Sequence, residues 1–224
     1  MPTITISREL GSKGRQIAVD TAKTLRYHFM DKAAIGEVME EYGLVEFHHE
    51  YEVAPSFWDF FDARRKERRG EMIDMLNRVI LALAQHGNMV ILGRCGFAVL
   101  HDYADVLNVR IQAPMDMRIR QVMAWKHFPS LDRAEDFVKE NDRVRTSFIE
   151  SFYGVKWDSA KAFDLVIDVN KTPPEMATKW IITAARRMER SIQGDDRTTA
   201  SIAVDSTLTS TIYKALDCHT DHRK

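Results

Sequence analysis

At 224 residues, with 45% hydrophobic and 29% charged side chains, the chain suits one domain with a full core, or one domain with an appendage. A formal net charge of −1 offers no global field for nucleic acid or an anionic membrane, so local basic clusters must meet any anionic ligand. No apolar run approaches membrane-spanning length and no leader pattern opens the chain. The two cysteines, Cys95 and Cys218, match no metal or disulfide spacing, so a reducing, cytoplasmic setting is expected.

Thr3 to Ile6 reads as a short strand, followed by a turn containing Gly11 and Gly14 and a helix marked by Ile17, Ala18, Thr21, Ala22 and Leu25. Amides at that helix N-terminus and the positive end of its dipole favour a phosphate, and Lys13 and Arg15 add charge. The alternative is a plain glycine turn between strand and helix. The turn departs from the G-x-x-x-x-G-K-[ST] phosphate loop in either register. With Gly14 as second glycine, Glu9 stands at the first, Arg15 at the lysine and Gln16 at the hydroxyl. Shifted by one, Gly14 occupies the lysine position with Lys13 just before it.

Tyr27 to Met30 forms a brief second strand. Asp31 then serves either as the cap of the next helix or as a ligand-facing carboxylate. That helix runs through Ile35, Val38, Met39 and Tyr42 to Gly43. Residues 44–70 hold His48-His49-Glu50-Tyr51-Glu52, aromatics at Phe57, Trp58, Phe60 and Phe61, and a basic run from Arg64 to Arg69. The histidines lack a third ligand at a recognised spacing, so no metal site is expected there. The aromatics suit a core or a partner contact, and the basic run suits a solvated helix face or the border of a phosphate pocket.

A helix through Met72 to Ala84 leads into Met89-Val90-Ile91-Leu92, a continuous apolar run expected of a strand buried on both faces. Arg94 follows that strand, where ligands collect in open α/β sheets; the alternative is a structural arginine. Val106 to Ile111 makes a further strand, and the next helix carries Arg118 and Arg120. A longer helix spans Leu131 to Phe152, with Asp142 and Arg145 sharing a face as an ordinary ion pair or part of an arginine cluster. Phe163 to Val169 is the last regular strand, before a helix with Thr172 as cap and Pro173 at its first position. Residues 1–190 are expected to form the main domain and 191–200 a polar linker. Residues 201–224 form an extension with a strand at Ser201–Val204 and a helix at Leu208–Leu216, which docks on the body, exchanges between subunits or begins another module. The repeated alternation predicts an α/β fold, a three-layer α/β/α parallel sheet.

Several stretches resemble the cytidylate kinase-like proteins, relatives of P-loop nucleoside monophosphate kinases, over about residues 3 to 188. They are Ile6 to Arg15, Asp31-Lys32, Ile91 to Arg94, Val109 to Pro114, Val138 to Arg145 and Phe163 to Asp168. The resemblance implies a P-loop nucleoside-kinase fold with a helical lid and acceptor region, and transfer of the γ-phosphate of ATP to a nucleoside monophosphate, with CMP or dCMP expected. It places Gly11, Ser12, Lys13, Gly14, Arg15 and Gln16 around the ATP phosphates, and Asp31, Arg94, Asp142 and Arg145 at the acceptor. Catalytic charge would come from Lys13, Arg15, Arg118, Arg120 and Arg145. Cys95 replaces an aspartate of the family pattern, and Val138, beside Lys139, replaces an arginine. Mg²⁺ would bridge the donor phosphates, anchored by Ser12, Ser7 or water. The implied partners are small nucleotides, without nucleic acid or membrane, and a homodimer is left open. The alternatives are a nucleotide-binding regulatory protein with weak or no kinase activity, or a kinase for another small acceptor.

Overall fold

The computed structural model describes residues 2–41 and 63–220. Five strands form one fully parallel sheet: β1 (Thr3–Arg8), β2 (His28–Met30), β3 (Met89–Leu92), β4 (Val106–Gln112) and β5 (Leu165–Asp168). Their spatial order is β2-β3-β1-β4-β5. Ile4, Thr5 and Ile6 of β1 pair with Val90, Ile91 and Leu92, while Thr3 to Arg8 pair with Val106 to Ile111 on the other side. The central strand therefore ends between two neighbours, and the carboxyl ends of β1 to β4 collect at one edge of the sheet.

Eight α-helices are described: α1 (Gly14–Leu25), α2 (Lys32–Glu41), α3 (Ala63–His86), α4 (Gly96–Val99), α5 (Met115–Lys126), α6 (Leu131–Tyr153), α7 (Pro174–Glu189) and α8 (Ser206–Thr220). Alternation along the strands feeds two cores. Met89 and Ile91 face one layer with Ile35 and Met39 of α2 and Leu76, Ile80 and Leu83 of α3. Val90 and Leu92 face the opposite layer with Ile17 and Ala22 of α1 and Ala177 and Ile181 of α7. A third cluster, including Phe97, Phe148, Trp157 and Phe163, lies beside the end of β3 and the start of α4.

Local signals fix the helix ends. Ser130 accepts from the Arg133 amide at the start of α6, and Gly154 closes that helix in a left-handed conformation. Helix α7 begins at Pro174 with Pro173 as its cap, one residue later than the sequence predicts, because two consecutive prolines compete for the first turn.

The expected strand at Ser201–Val204 is absent. Thr199–Ser201 is a 3₁₀ turn, and Ile202 and Val204 pack their alternating side chains on the first core rather than joining the sheet. Helix α8 buries Leu208, Ile212, Ala215 and Leu216 in that same core. The preceding segment is also tied down: the Thr199 amide and hydroxyl both donate to Asp105, and the Ala104 amide donates to the Arg197 carbonyl. Helix α8 thus lies against the body, on α2 and α3. The His48–Glu52 and Phe57–Phe61 groups fall outside the described residues.

Candidate active site

The turn after β1 is shaped by two left-handed residues. Gly11 has φ +81°, and a Cβ there would stand 2.6 Å from the Arg118 carbonyl oxygen, so only glycine allows the turn to lie against α5. Lys13 has φ +59° and immediately precedes α1 without a side-chain cap. The first-turn amides of α1 lack helical acceptors and, with the helix dipole, suit an anion.

Arginines brace this turn and the end of β1. Arg118, almost fully buried, donates through Nε to the Leu10 carbonyl at 2.8 Å and through Nη2 to both Asp142 oxygens at 2.8 and 2.6 Å. Arg145 donates through Nη1 to the Arg8 carbonyl at 3.0 Å. Asp142 therefore pairs between helices, with Arg118. Glu9 would repel a phosphate if it faced one. Instead its carboxylate turns toward β4, accepting from Arg110 Nη2 at 3.1 Å and the Ala113 amide at 3.0 Å, with Arg118 Nη1 at 3.6 Å. Trp157 lies under Arg110 and Arg145, 4.5 and 5.1 Å from its ring, and its indole N–H donates to Ser7 Oγ at 2.8 Å. The Trp157 carbonyl accepts from Arg110 Nη1.

In front of the turn, at the ends of β1 and β3, is a cavity of about 520 Å³. Its basic lining comes from Arg8, Lys32, Arg94, Lys126 and Arg145, and its apolar lining includes Phe97, Phe137 and Phe148. This volume is in the range of small-ligand pockets, roughly 300–1,000 Å³. The cations are held under electrostatic pressure. Burial, then Arg145 and Arg94, lower the Arg8 guanidinium to about 9, still charged at neutral pH. Burial also lowers Arg145, against the attraction of Asp142, and burial followed by Arg94 lowers Lys32. An anion seated among these groups relieves that crowding.

The sequence-predicted residues separate accordingly. Arg94 and Arg145 line the cavity, and Gly11, Ser12, Lys13 and Gly14 form the adjoining turn and helix start. Asp31 does two jobs: it caps α2 through the Ala33 and Ala34 amides and accepts from Arg15 Nη2 at 2.6 Å. Arg15 is otherwise exposed, 5.3 Å from the Phe29 ring, and Gln16 is exposed. Arg120 pairs with Asp116 on the exposed face of α5, away from the cavity lining. Lys139 pairs with Glu135 at 2.6 Å on the exposed face of α6, and Val138 is fully buried.

For a metal ion the side chains offer little. The Ser12 hydroxyl is buried and donates to the Glu9 carbonyl at 2.8 Å, and Ser7 Oγ accepts from Trp157. Among the described residues, no group of three or more His, Cys, Asp or Glu is placed to hold a metal. The turn amides and cavity cations fit a phosphate chain; the described side chains around them do not fit a protein-held Mg²⁺.

Sequence reasoning passed over Glu9, Arg110 and Trp157 as working parts. One signal was available: Arg110 is the lone charge in the otherwise uncharged strand run Val106–Ile111, and a charge in a central strand needs a partner brought from elsewhere.

A parallel sheet of this order, with an amide-lined turn and a cationic cavity side by side at its carboxyl edge, defines an α/β protein of the P-loop kinase fold. The model of the cytidylate kinase-like family matches residues 3–171, and the chain belongs to that family. A cytidylate kinase of Pyrobaculum calidifontis is 26% identical over 173 residues, covering 76% of this chain and 85% of that protein. One from Ignicoccus hospitalis is 26% identical over 182 residues, covering 81% and 97%. A solved protein of Eubacterium ventriosum superposes with a TM-score of 0.63 at 21% identity, covering 83% of this chain and 99% of that one, which shows the shared fold.

Proposed function

We propose that the protein is a nucleotide kinase that moves the γ-phosphate of ATP to a nucleoside monophosphate, with CMP or dCMP as acceptor. The observation that carries this reading is the convergence of Arg8, Arg94, Arg145 and Lys32 on one cavity beside the amide-lined start of α1. The cytidylate kinases among its relatives support the choice of acceptor.

In this scheme the first-turn amides of α1 hold the donor phosphates, and the acceptor phosphate lies among Arg94, Arg145 and Lys32. An oxygen of the acceptor phosphate attacks the γ-phosphorus in line, the bond to the β–γ bridging oxygen breaks, and ADP leaves. The protein's part is to position both phosphates and offset their mutual repulsion. Planar, multi-donor guanidinium groups suit phosphoryl oxygens, and the aromatic wall of Phe97, Phe137 and Phe148 suits a base. Mg²⁺ would travel on the nucleotide phosphates and shield their charge. Arg118 and Asp142 act from behind the turn as positioning residues.

A second reading, a nucleotide-binding regulator with weak or no turnover, is favoured by the absence of a lysine at position 14 and by the engaged Ser12 hydroxyl. A coupled ADP-release assay with ATP, Mg²⁺ and a panel of nucleoside monophosphates separates the two. Turnover fastest with CMP or dCMP, lost in Arg145→Ala and kept in Arg120→Ala, supports the kinase. A thermal shift with ATP or CMP but no ADP release with any acceptor favours the regulator.

A further inference from the structure

The loop departs from the standard pattern in a way that is sterically self-consistent. With the first glycine of G-x-x-x-x-G-K at position 8, the second falls on Lys13 and the lysine on Gly14. Lys13 is left-handed, the conformation a second glycine would take most cheaply, so the backbone chooses this register. A Cβ at Gly14 would lie 2.5 Å from Arg8 Cβ and 3.0 Å from Arg8 Cγ. Side chains at 8 and 14 therefore exclude each other: one position carries the cation and the other must be glycine.

The head of Arg8 has its own clearance. Gly93, with φ +77° just beyond β3, would place a Cβ 2.4 Å from Arg8 Nη1. Two glycines from separate parts of the chain thus open a channel, one for the stem and one for the guanidinium, which ends on the cavity wall. Among the described residues no side-chain acceptor hydrogen-bonds that guanidinium. Asp31 is the carboxylate that acts on it, and Asp31 is already bonded to Arg15.

We propose that Arg8 and Gly14 have exchanged the places of glycine and lysine in the phosphate loop, so that Arg8, threaded over Gly14 and past Gly93, is the cation that grips the nucleotide's phosphate chain. This rests on the reading of the site as a phosphorylated-nucleotide site but not on the identity of the acceptor. Gly14 and Gly93 are clearance positions, and the charge enters from the end of β1 rather than from the start of α1.

The test uses the full chain, calorimetric titration with inorganic tripolyphosphate and with ATP, and thermal unfolding of each variant. Arg8→Met keeps the length and removes the charge. Its tripolyphosphate affinity should fall at least about tenfold, as expected for loss of charge-assisted hydrogen bonds, with a melting temperature no lower than wild type because a buried like-charge cluster is relieved. Gly14→Lys alone should lose binding and unfold earlier, since its stem meets Arg8. Arg8→Gly combined with Gly14→Lys should recover both, a rescue that a merely structural Arg8 would not give. Wild-type affinity in Arg8→Met, or a double variant no better than Gly14→Lys alone, overturns the exchange. Tripolyphosphate binding that depends on Arg8 without turnover on any acceptor removes the kinase and leaves the exchange standing. Failure of the wild type to bind tripolyphosphate or ATP removes both.

Discussion

Asp142→Ala tests whether that carboxylate holds the turn after β1 or the proposed acceptor. Asp142 takes both of its hydrogen bonds from Arg118 Nη2, at 2.8 and 2.6 Å, and Arg118 is only 4% exposed. Removing one partner of a buried pair costs about 3–5 kcal/mol, because the remaining charge loses its compensation. Two features reduce that here: the Asp142 side chain is 23% exposed, and Arg118 keeps Glu9 at 3.6 Å and the Leu10 carbonyl at 2.8 Å. The expected loss is about 2–3 kcal/mol, or about 5–10 °C in melting temperature for a chain of this length. Asp142→Asn, which keeps one acceptor oxygen, should lose about half as much. Because Arg118 Nε also holds the Leu10 carbonyl, a loosened Arg118 frees the turn, so ATP affinity should fall while CMP affinity is nearly unchanged. Differential scanning fluorimetry and titration with each nucleotide measure both. An unchanged melting temperature together with a selective loss of CMP affinity would refute this account and return Asp142 to the acceptor.

Gly11→Ala forces a Cβ to 2.6 Å from the Arg118 carbonyl at a left-handed φ and should cost about 2 kcal/mol or more. Gly154→Ala, at φ +64° in open space, pays only the backbone term of about 1 kcal/mol, and chemical denaturation compares the two. Ile212→Ala, on a helix whose buried face lies in the first core, should cost about 3 kcal/mol and shift one cooperative urea transition. A separate early transition would mean that the tail unfolds alone. Burial, then Glu189, raises the Tyr27 hydroxyl to about 12, so above pH 10 the unfolded chain gives up this proton before the folded one does. Stability from Tyr27 is therefore present below about pH 10 and lost between about 10 and 12, by roughly 2–3 kcal/mol, and Tyr27→Phe should flatten that slope in an alkaline denaturation series.

The layers of the fold were legible because each depends on a local repeat. Met89–Leu92 is apolar without interruption, which suits a strand covered on both faces, and Ile17, Ala18, Thr21 and Ala22 recur at helical spacing on the buried side of α1. Ile202 and Val204 alternate as a strand would, yet their partner surface is helical, and alternation alone carries no information about what lies opposite. At the site, Arg94 was legible as a cation just after a strand, and Arg145 as a member of an arginine cluster on successive helices. Glu9 and Arg110 were not, because their meaning is their contact, and they lie 101 residues apart.

The sequence by itself determined the alternation of strand and helix, the glycine turn after β1 and local clusters of arginine suited to anions, since all three follow from short-range spacing and side-chain type. Only the tertiary structure decided which cations serve the cavity. It set Arg118 behind the turn, turned Arg120 outward to Asp116 and brought Arg8 over Gly14 to Gly93. Charge acts through space, and chain folding sets the distances that put one guanidinium on the cavity wall and make another a brace.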